Sequence, residues 1–383
     1  ANTKFEVEKI YWTKQHKKKS KDVEITNKQT EVNNELNKIE NHIINAFNSV
    51  DPDEVSKQWL QLQIDYYYNP PTETPKLPTE LLKYFDYFIE CKKNEVSNGS
   101  LKKYNVTMRL VERYQKSIKK PIQIIDVNSR FKIDFENYCI SNNYAPNTIA
   151  KDIKILKTVC LHAKYNEVPT SHQLDKVKAE YQKITKIYLS FEDLEKIEKI
   201  EKSELTESLE NAKDLLIISC YTGQRISDFM RFTNEMLRIE DNQTFLEFTQ
   251  KKTNKLTTIP VHPKVLEILK KRNGLFPYAI SSQKYNDYIK TVCEIAKITE
   301  MIQGGKKIET APESGIYRKV TKMYRKCDLV SSHIGRKSFA TNFYGKIPTS
   351  HLINITNHST EVQFLAYIGK SNKDLAKETF KYF

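Results

Sequence analysis

Four prolines fall within nine residues, at Pro70, Pro71, Pro75 and Pro78. Proline fixes φ and removes a backbone donor, so neither a helix nor a central strand runs through such a stretch. It reads as a stiff, extended linker. The residues before it must therefore close a core apart from the residues after it. A second break, Asn166 to Tyr188, carries Pro169, although Leu174 to Ile184 within it has a pattern compatible with a helix. Three segments result: 1–69, 77–165 and 175–383. Ala1, not Met, opens the sequence, which leaves room for residues upstream. No internal repeat at solenoid spacing is present.

A chain of 383 residues is long enough for two or three domains. Glycine is scarce, at 9 residues, and 29% of residues are charged, which favours a mostly helical chain. Lys plus Arg number 62 against 48 Asp plus Glu, a net charge of +14. That surplus fits a polyanionic partner, either nucleic acid or an anionic membrane surface. No apolar run approaches the roughly 20 residues needed to span a bilayer, and the first residues lack a signal-peptide pattern. The six cysteines (Cys91, Cys139, Cys160, Cys220, Cys293, Cys327) are scattered and none forms a C-x-x-C pair. Neither a zinc site nor a disulfide framework is suggested, and a reducing cytoplasmic setting fits best.

In the first segment, Tyr11 and Trp12 precede a basic run: Lys14, His16, Lys17, Lys18, Lys19 and Lys21. A long amphipathic helix follows, with Val32, Leu36, Ile39, Ile43 and Phe47 at helical spacing. The segment suits a small DNA-binding module; a solvated basic loop beside a core helix is the plainer reading. The middle segment reads as a helical bundle. One helix covers Leu101 to Ile118. Another starts after Pro146, where Asn147 or Thr148 can cap it. Its apolar side is Ile149, Ile153, Leu156, Cys160 and Ala163, and its other side presents Lys151, Lys154 and Lys157. Such a lysine row either docks on a phosphate backbone or is simply solvated.

The last segment is mixed. Ser190 and Asp193 form a helix-opening signature. Leu215 to Cys220 is apolar enough to be buried within a longer helix. Thr244–Thr249 and Leu256–Pro260 alternate like the strands of a hairpin, joined by Gln250 to Lys255. From His333 onward the pattern is helical. The expected class is thus mostly α with a small antiparallel β-sheet (α+β).

Four short pieces of this segment belong together. Residues 222–225 read T-G-Q-R, followed by Ile226, Ser227 and Asp228. Residues 251–255 read K-K-T-N-K. Residues 333–336 read H-I-G-R, followed by K-S-F-A-T. Asn357-His358-Ser359 then precedes Tyr367, with His358 and Tyr367 nine positions apart. Each piece alone is ordinary: arginines form surface ion pairs, turn lysines are solvated, and Tyr367 is one of 22 tyrosines. Together, in this order, they resemble the catalytic domain of tyrosine recombinases, and from His333 to Tyr367 especially the integrases of Bacteroides-type mobile elements. The resemblance covers about half of the chain, while the upstream segments match the family's arm-binding and core-binding domains only loosely.

The resemblance implies a tyrosine recombinase catalytic fold over 175–383, a helical SAM-like core-binding domain over 77–165 and an arm-type domain over 1–69. It implies a site-specific integrase that needs no metal and no cofactor, with Tyr367 as nucleophile. Arg225 and Arg336 would clamp the scissile phosphate, whose charge and geometry suit a guanidinium fork. Lys252 would protonate the leaving 5′ oxygen, with Lys251 and Lys255 as rivals. His333 would move the tyrosine proton or support the phosphate, and His358 would donate to a non-bridging oxygen. Asp228, one turn beyond Arg225, would orient that arginine or His333. Double-stranded attachment-site DNA, a homotetramer on DNA and accessory DNA-bending proteins are the implied partners, in a bacterial, nucleoid-associated setting with no membrane. Asn357 departs from the usual glycine, yet asparagine tolerates a left-handed backbone. Gln224 stands where many members are apolar. Gly304-Gly305-Lys306 lacks Walker spacing and reads as a turn in a variable insertion. Tyr344 and Tyr382 are competing nucleophiles, set aside because the first lies too near the His333 helix and the second at a frayed end. The tail after Tyr367 packs either on its own domain or on a neighbour. A type IB topoisomerase shares the chemistry. A catalytically silent DNA-binding regulator and a metal-dependent transposase or nuclease are readings from other classes, the last disfavoured by the lack of a paired carboxylate motif.

Overall fold

The chain divides into two units, Ala1–Pro78 and Thr79–Phe383. The computed structural model describes residues 2–50, 52, 55–70, 77–380 and 383. Pro71 and Pro75 of the first break, and Tyr382, lie outside the described residues. The second break lies within the second of these units.

The first unit has helices Lys9–Lys14, Val23–Phe47 and Lys57–Tyr68. Asp22 and Ser56 cap the second and third by accepting from the Glu24 and Trp59 amides. Its core is small: Tyr11, Val32, Ile39 and Ile64 are buried. The expected apolar stripe fades along the long helix, since Leu36 and Ile43 are half-buried and Phe47 is exposed. Lys17, Lys18 and Lys19 lie exposed in the loop between the first two helices. That loop is tied down by the Gln29 amide, which donates to the Gln15 and Lys18 carbonyls.

The second unit begins with helices Leu81–Lys92, Asn98–Ile118, Ser129–Ser141 and Pro146–Tyr165. The last of these buries Ile149, Ile153, Leu156, Cys160 and Ala163, the side expected from helical spacing. Its start differs from expectation. Ala145 is the N-cap, with no side-chain cap, and Pro146 occupies the first helical position. There a missing N–H costs nothing. Asn147 instead clamps the Gln182 backbone, donating to its carbonyl at 3.0 Å and accepting from its amide at 2.8 Å. Leu174 to Ile184 is not a helix. One tight turn, Leu174–Lys176, is followed by irregular, largely exposed chain. The apolar residues there are too few to bury a stripe.

A capping box at Ser190 and Asp193 opens helix Phe191–Glu198. Helix Glu207–Thr222 is the centre of the unit, and every residue from Asn211 to Thr222 is buried. Truncating a core residue such as Leu216 to Ala would cost about 2–5 kcal/mol. A three-stranded antiparallel sheet flanks it, in the order β1 (Leu237–Glu240), β2 (Gln243–Thr249), β3 (Leu256–Pro260). Leu246 pairs with both Leu237 and Ile259, and Thr249 pairs with Leu256. Alternation buries Leu246, Phe248, Thr257 and Ile259, while the tip, residues 251–255, is exposed.

Helices Pro263–Lys271 and Ser282–Ile295 follow. A second hairpin comes next, β4 (Met301–Glu309) with β5 (Tyr317–Arg325), in register from Met301↔Arg325 to Glu309↔Tyr317. Gly304, Gly305 and Lys306 therefore lie inside a strand, not a turn. A Cβ at 304 would stand 2.5 Å from the end of the Leu329 side chain, which would have to move aside. Helices Ile334–Phe343, Thr349–Thr356, Glu361–Ile368 and Asn372–Thr379 complete the chain. Phe339, Ala340, Leu352, Phe364 and Ile368 form a second small core among them. No described helix is long and apolar enough to cross a membrane.

Candidate active site

The site is built where helix Ile334–Phe343 crosses the C-terminal end of helix Glu207–Thr222. The crossing depends on Gly335, where a Cβ would stand 1.8 Å from Ser219 Oγ. That approach sets Arg336 beside the turn that ends the central helix. Gly223 makes this turn with φ of 69°. Arg336 is buried, 3% exposed, and its Nη1 donates to the Gly223 carbonyl at 3.0 Å. Burial first, and then the charge of Arg225, push its pKa down to about 10. It stays cationic at neutral pH.

Arg225 follows two residues after Gly223 as the N-cap of Ile226–Phe229. Its Nη1 donates to Gln250 Oε1 at 2.8 Å. Two interacting guanidinium groups are thus held in place, Arg336 by a backbone carbonyl and Arg225 by a side-chain amide. Two nearby cations with little carboxylate between them form a ready receptor for a phosphate.

Tyr367 enters from helix Glu361–Ile368, which Thr360 caps by accepting from the Gln363 amide. Its ring lies against His358, centroids 4.9 Å apart. Its hydroxyl is buried and lies against the Arg336 guanidinium. Burial raises its pKa, while Arg336 and then Arg225 pull the other way. The phenol is thus held beside the cations that would stabilise its anion.

Both histidines are held neutral. His358 is pushed down to about 4 by burial, then by Arg336 and Arg225. His333 is lowered by burial, Arg336, Arg225 and Lys252. His358 Nδ1 is 2.8 Å from Thr356 Oγ1, and that hydroxyl also donates to the Leu352 carbonyl. A hydroxyl has one proton, so the Thr356–Leu352 bond assigns the Nδ1 proton to His358 and leaves Nε2 as the acceptor of the neutral ring. Asn357 takes the left-handed conformation, φ 52°, as expected of asparagine in place of glycine.

Solved structures share this architecture. A transposon Tn1549 integrase in complex with circular intermediate DNA matches with a TM-score of 0.56 at 15% identity, covering 80% of this chain and all of that one. A lambda integrase dimer bound to a COC′ core site matches at 0.55 and 14% identity, covering 74% of this chain and 97% of that one. The XerH site-specific recombinase bound to palindromic difH matches at 0.54 and 15%, covering 81% and 98%. Residues 80–184 match the phage integrase SAM-like domain. No curated protein matches in sequence. The fold is that of the tyrosine recombinases.

Within this recombinase fold the remaining candidates take different places. Lys252 lies exposed on the β2–β3 tip, and its charge reaches His333. Lys255 Nζ leans on Asn357 Oδ1 at 3.4 Å. Lys251 contributes its backbone, donating to Asp228 Oδ1 at 2.8 Å. Asp228 therefore differs from expectation. Its amide donates to the Arg225 carbonyl at 2.8 Å, but its carboxylate anchors the hairpin, pairs with Arg231 at 3.5 Å and adds its charge to the surroundings of Arg336. Helical spacing put it one turn from Arg225, yet the chain turns there and its carboxylate meets the hairpin instead. Tyr344 donates to Glu378 of the tail at 3.0 Å, so the tail helix meets its own chain at that point.

The lysine row is uneven. Lys154 is exposed. Lys157 donates to the Asp175 carbonyl at 2.9 Å. Lys151 lies near Asp152 and lines a 360 Å³ cleft with Lys183, Lys319 and the β4 strand. Three residues were missed by sequence reasoning. Lys337 sits 5.7 Å from the Tyr367 ring centre, its pKa pushed down to about 8 by burial and Lys186; its only signal was adjacency to Arg336. Gln224 and Gln250 are fully buried and bonded to each other, Gln250 Nε2 to Gln224 Oε1, at 3.2 Å.

Proposed function

We propose that this chain is a site-specific DNA recombinase, an integrase that cuts and rejoins strands through a 3′-phosphotyrosine link. The observation that carries the reading is the buried Tyr367 hydroxyl set against Arg336, with His358 packed on its ring. A phosphate held at the two arginines would face that hydroxyl.

Tyr367 Oη attacks the scissile phosphorus and the 5′ oxygen leaves, so one phosphodiester is exchanged for another and no external energy source is needed. Arg225 and Arg336 neutralise the charge that gathers on the non-bridging oxygens. Lys252 hands a proton to the leaving 5′ oxygen. His333 takes up or relays the tyrosine proton, a role its neutral state allows. His358 Nε2 contacts a non-bridging oxygen; an arriving phosphate raises its pKa and favours the protonated, donating form. Double-stranded DNA is the substrate. The exposed Lys17, Lys18, Lys19 and Lys154, and the cleft at Lys151, are phosphate contacts of the outer DNA. Assembly as a tetramer on paired sites, with DNA-bending helpers, in the bacterial cytoplasm completes the reading.

The test uses nicked attachment-site DNA in EDTA. Wild type leaves a covalent protein–DNA band on a denaturing gel and Tyr367→Phe leaves none. A strict requirement for Mg²⁺, or no adduct on a site that supports recombination in cells, ends the proposal. A type IB topoisomerase would relax a plasmid lacking any attachment site; an integrase would yield recombinants only from paired sites.

A further inference from the structure

Gln250 is the most connected polar side chain at the site, and neither the nucleophile nor the acid–base roles use it. It is fully buried. Its Oε1 accepts from Arg225 Nη1 at 2.8 Å, Thr253 Oγ1 at 3.0 Å and Asn357 Nδ2 at 3.2 Å. Its Nε2 donates to Gln224 Oε1 at 3.2 Å. The orientation of both amides is dictated by their partners. Gln224 Nε2 donates to the Thr222 and Ile355 carbonyls, each at 2.9 Å, so only its oxygen can face Gln250. Gln250 must then turn its nitrogen to Gln224 and its oxygen to Arg225, a donor that cannot accept. The backbone is fixed as well, because the Gln250 amide donates to Lys255 O and its carbonyl accepts from Asn254 N.

One oxygen thus gathers an arginine from the end of the central helix, a threonine from the hairpin tip and the asparagine preceding His358. A buried amide meant only to fill space would need partners, but not one donor from each of three catalytic segments. We infer that Gln250 is a positioning residue, which fixes the plane of the Arg225 guanidinium and aligns it with the lysine hairpin and the His358 turn. It takes one of the five N–H donors of Arg225 and leaves the others for phosphate. It touches no reacting atom. The inference rests on the recombinase reading.

The experiment compares covalent-complex rates of full-length protein on two nicked substrates, one with an ordinary scissile phosphate and one with a methylphosphonate. The methyl group removes the negative charge that Arg225 would neutralise. Gln250→Ala is expected to lose about tenfold on the phosphate, the scale of a lost hydrogen bond to a charged group. On the methylphosphonate the loss shrinks to about threefold or less, as expected of a defect acting through a cation. Asn357→Gly keeps the left-handed turn and removes one donor, and is expected to show a smaller loss with the same substrate dependence; it decides the matter where Gln250→Ala does not fold. Equal losses on both substrates, or no loss on the phosphate, overturn the assignment. A wild type without any Tyr367-dependent adduct sinks the recombinase reading itself, and the assignment with it.

Discussion

The two sides of the site are built differently. On one side Arg336 is buried, Arg225 is bonded to a buried amide, and Tyr367 lies between helices. On the other, Lys252 stands on an exposed hairpin tip whose attachments are the Asp228 and Gln250 anchors and a weak Lys255–Asn357 contact. The difference matches the two tasks. Charge neutralisation works best from groups fixed before the substrate arrives, since no reorganisation is then needed during reaction. Delivery of a proton to an oxygen that departs needs a group that can follow it. The same chain thus buries the proposed charge clamp and leaves the proposed acid in water.

That contrast can be broken by experiment. The largest effect is expected at Arg336. Arg336→Ala should lower the rate of covalent-complex formation by about 10²–10³-fold, measured by single-turnover quench; a loss under tenfold would mean the buried side is not the charge clamp. Lys252→Ala comes next, with a loss of about 10²-fold on ordinary DNA. A 5′-bridging phosphorothiolate, whose sulfur leaves without a proton, should restore the rate nearly to wild type. Lys255→Ala should then cost only about threefold, and if Lys255→Ala rather than Lys252→Ala is the variant rescued by sulfur, the acid has been assigned to the wrong lysine.

A smaller effect concerns pH. His358 has a folded pKa near 4 against an ordinary value of 6.5. Between these values the unfolded chain binds the proton and the folded chain does not, so stability falls as pH drops from about 6.5 to 4 and is flat above. Melting temperature followed from pH 7 to 5 should drop less in His358→Gln than in wild type. Parallel curves would show that His358 is not the group responsible. Smallest at the cleavage step should be the triple change of Lys17, Lys18 and Lys19 to Ala. It should leave cutting of a short core site within about twofold and flatten the dependence of DNA affinity on salt; a large drop in cutting would mean these lysines serve the site rather than outer DNA.

Much of the fold was legible because its signals are local. The alternation of β2 and β3, the Ser190–Asp193 cap and the apolar side of Pro146–Tyr165 all lie within a few residues of one another. The β4–β5 hairpin was not, because its strands are mostly exposed and carry lysine and glycine where a buried strand would alternate. Asn147 looked like a cap and became a clamp on Gln182, because a partner 35 residues away competes with the local one. The reacting residues were legible only through a family resemblance, and their roles await the experiments above. Gln250 had no such help. Its four side-chain partners lie 3 to 107 residues away, and no spacing rule links an amide to an arginine, a threonine and two other amides.

The Gly335–Ser219 crossing has a consequence for variation in this protein. Two positions 116 residues apart share one volume, so neither can be chosen alone. In a library randomised at both, functional clones should keep glycine at 335, because a Cβ there would also stand 2.9 Å from the backbone carbonyl carbon of residue 219, and a small residue at 219. The proposed chemistry belongs to arginines and a tyrosine, but the room in which they meet is set by an atom that is not there.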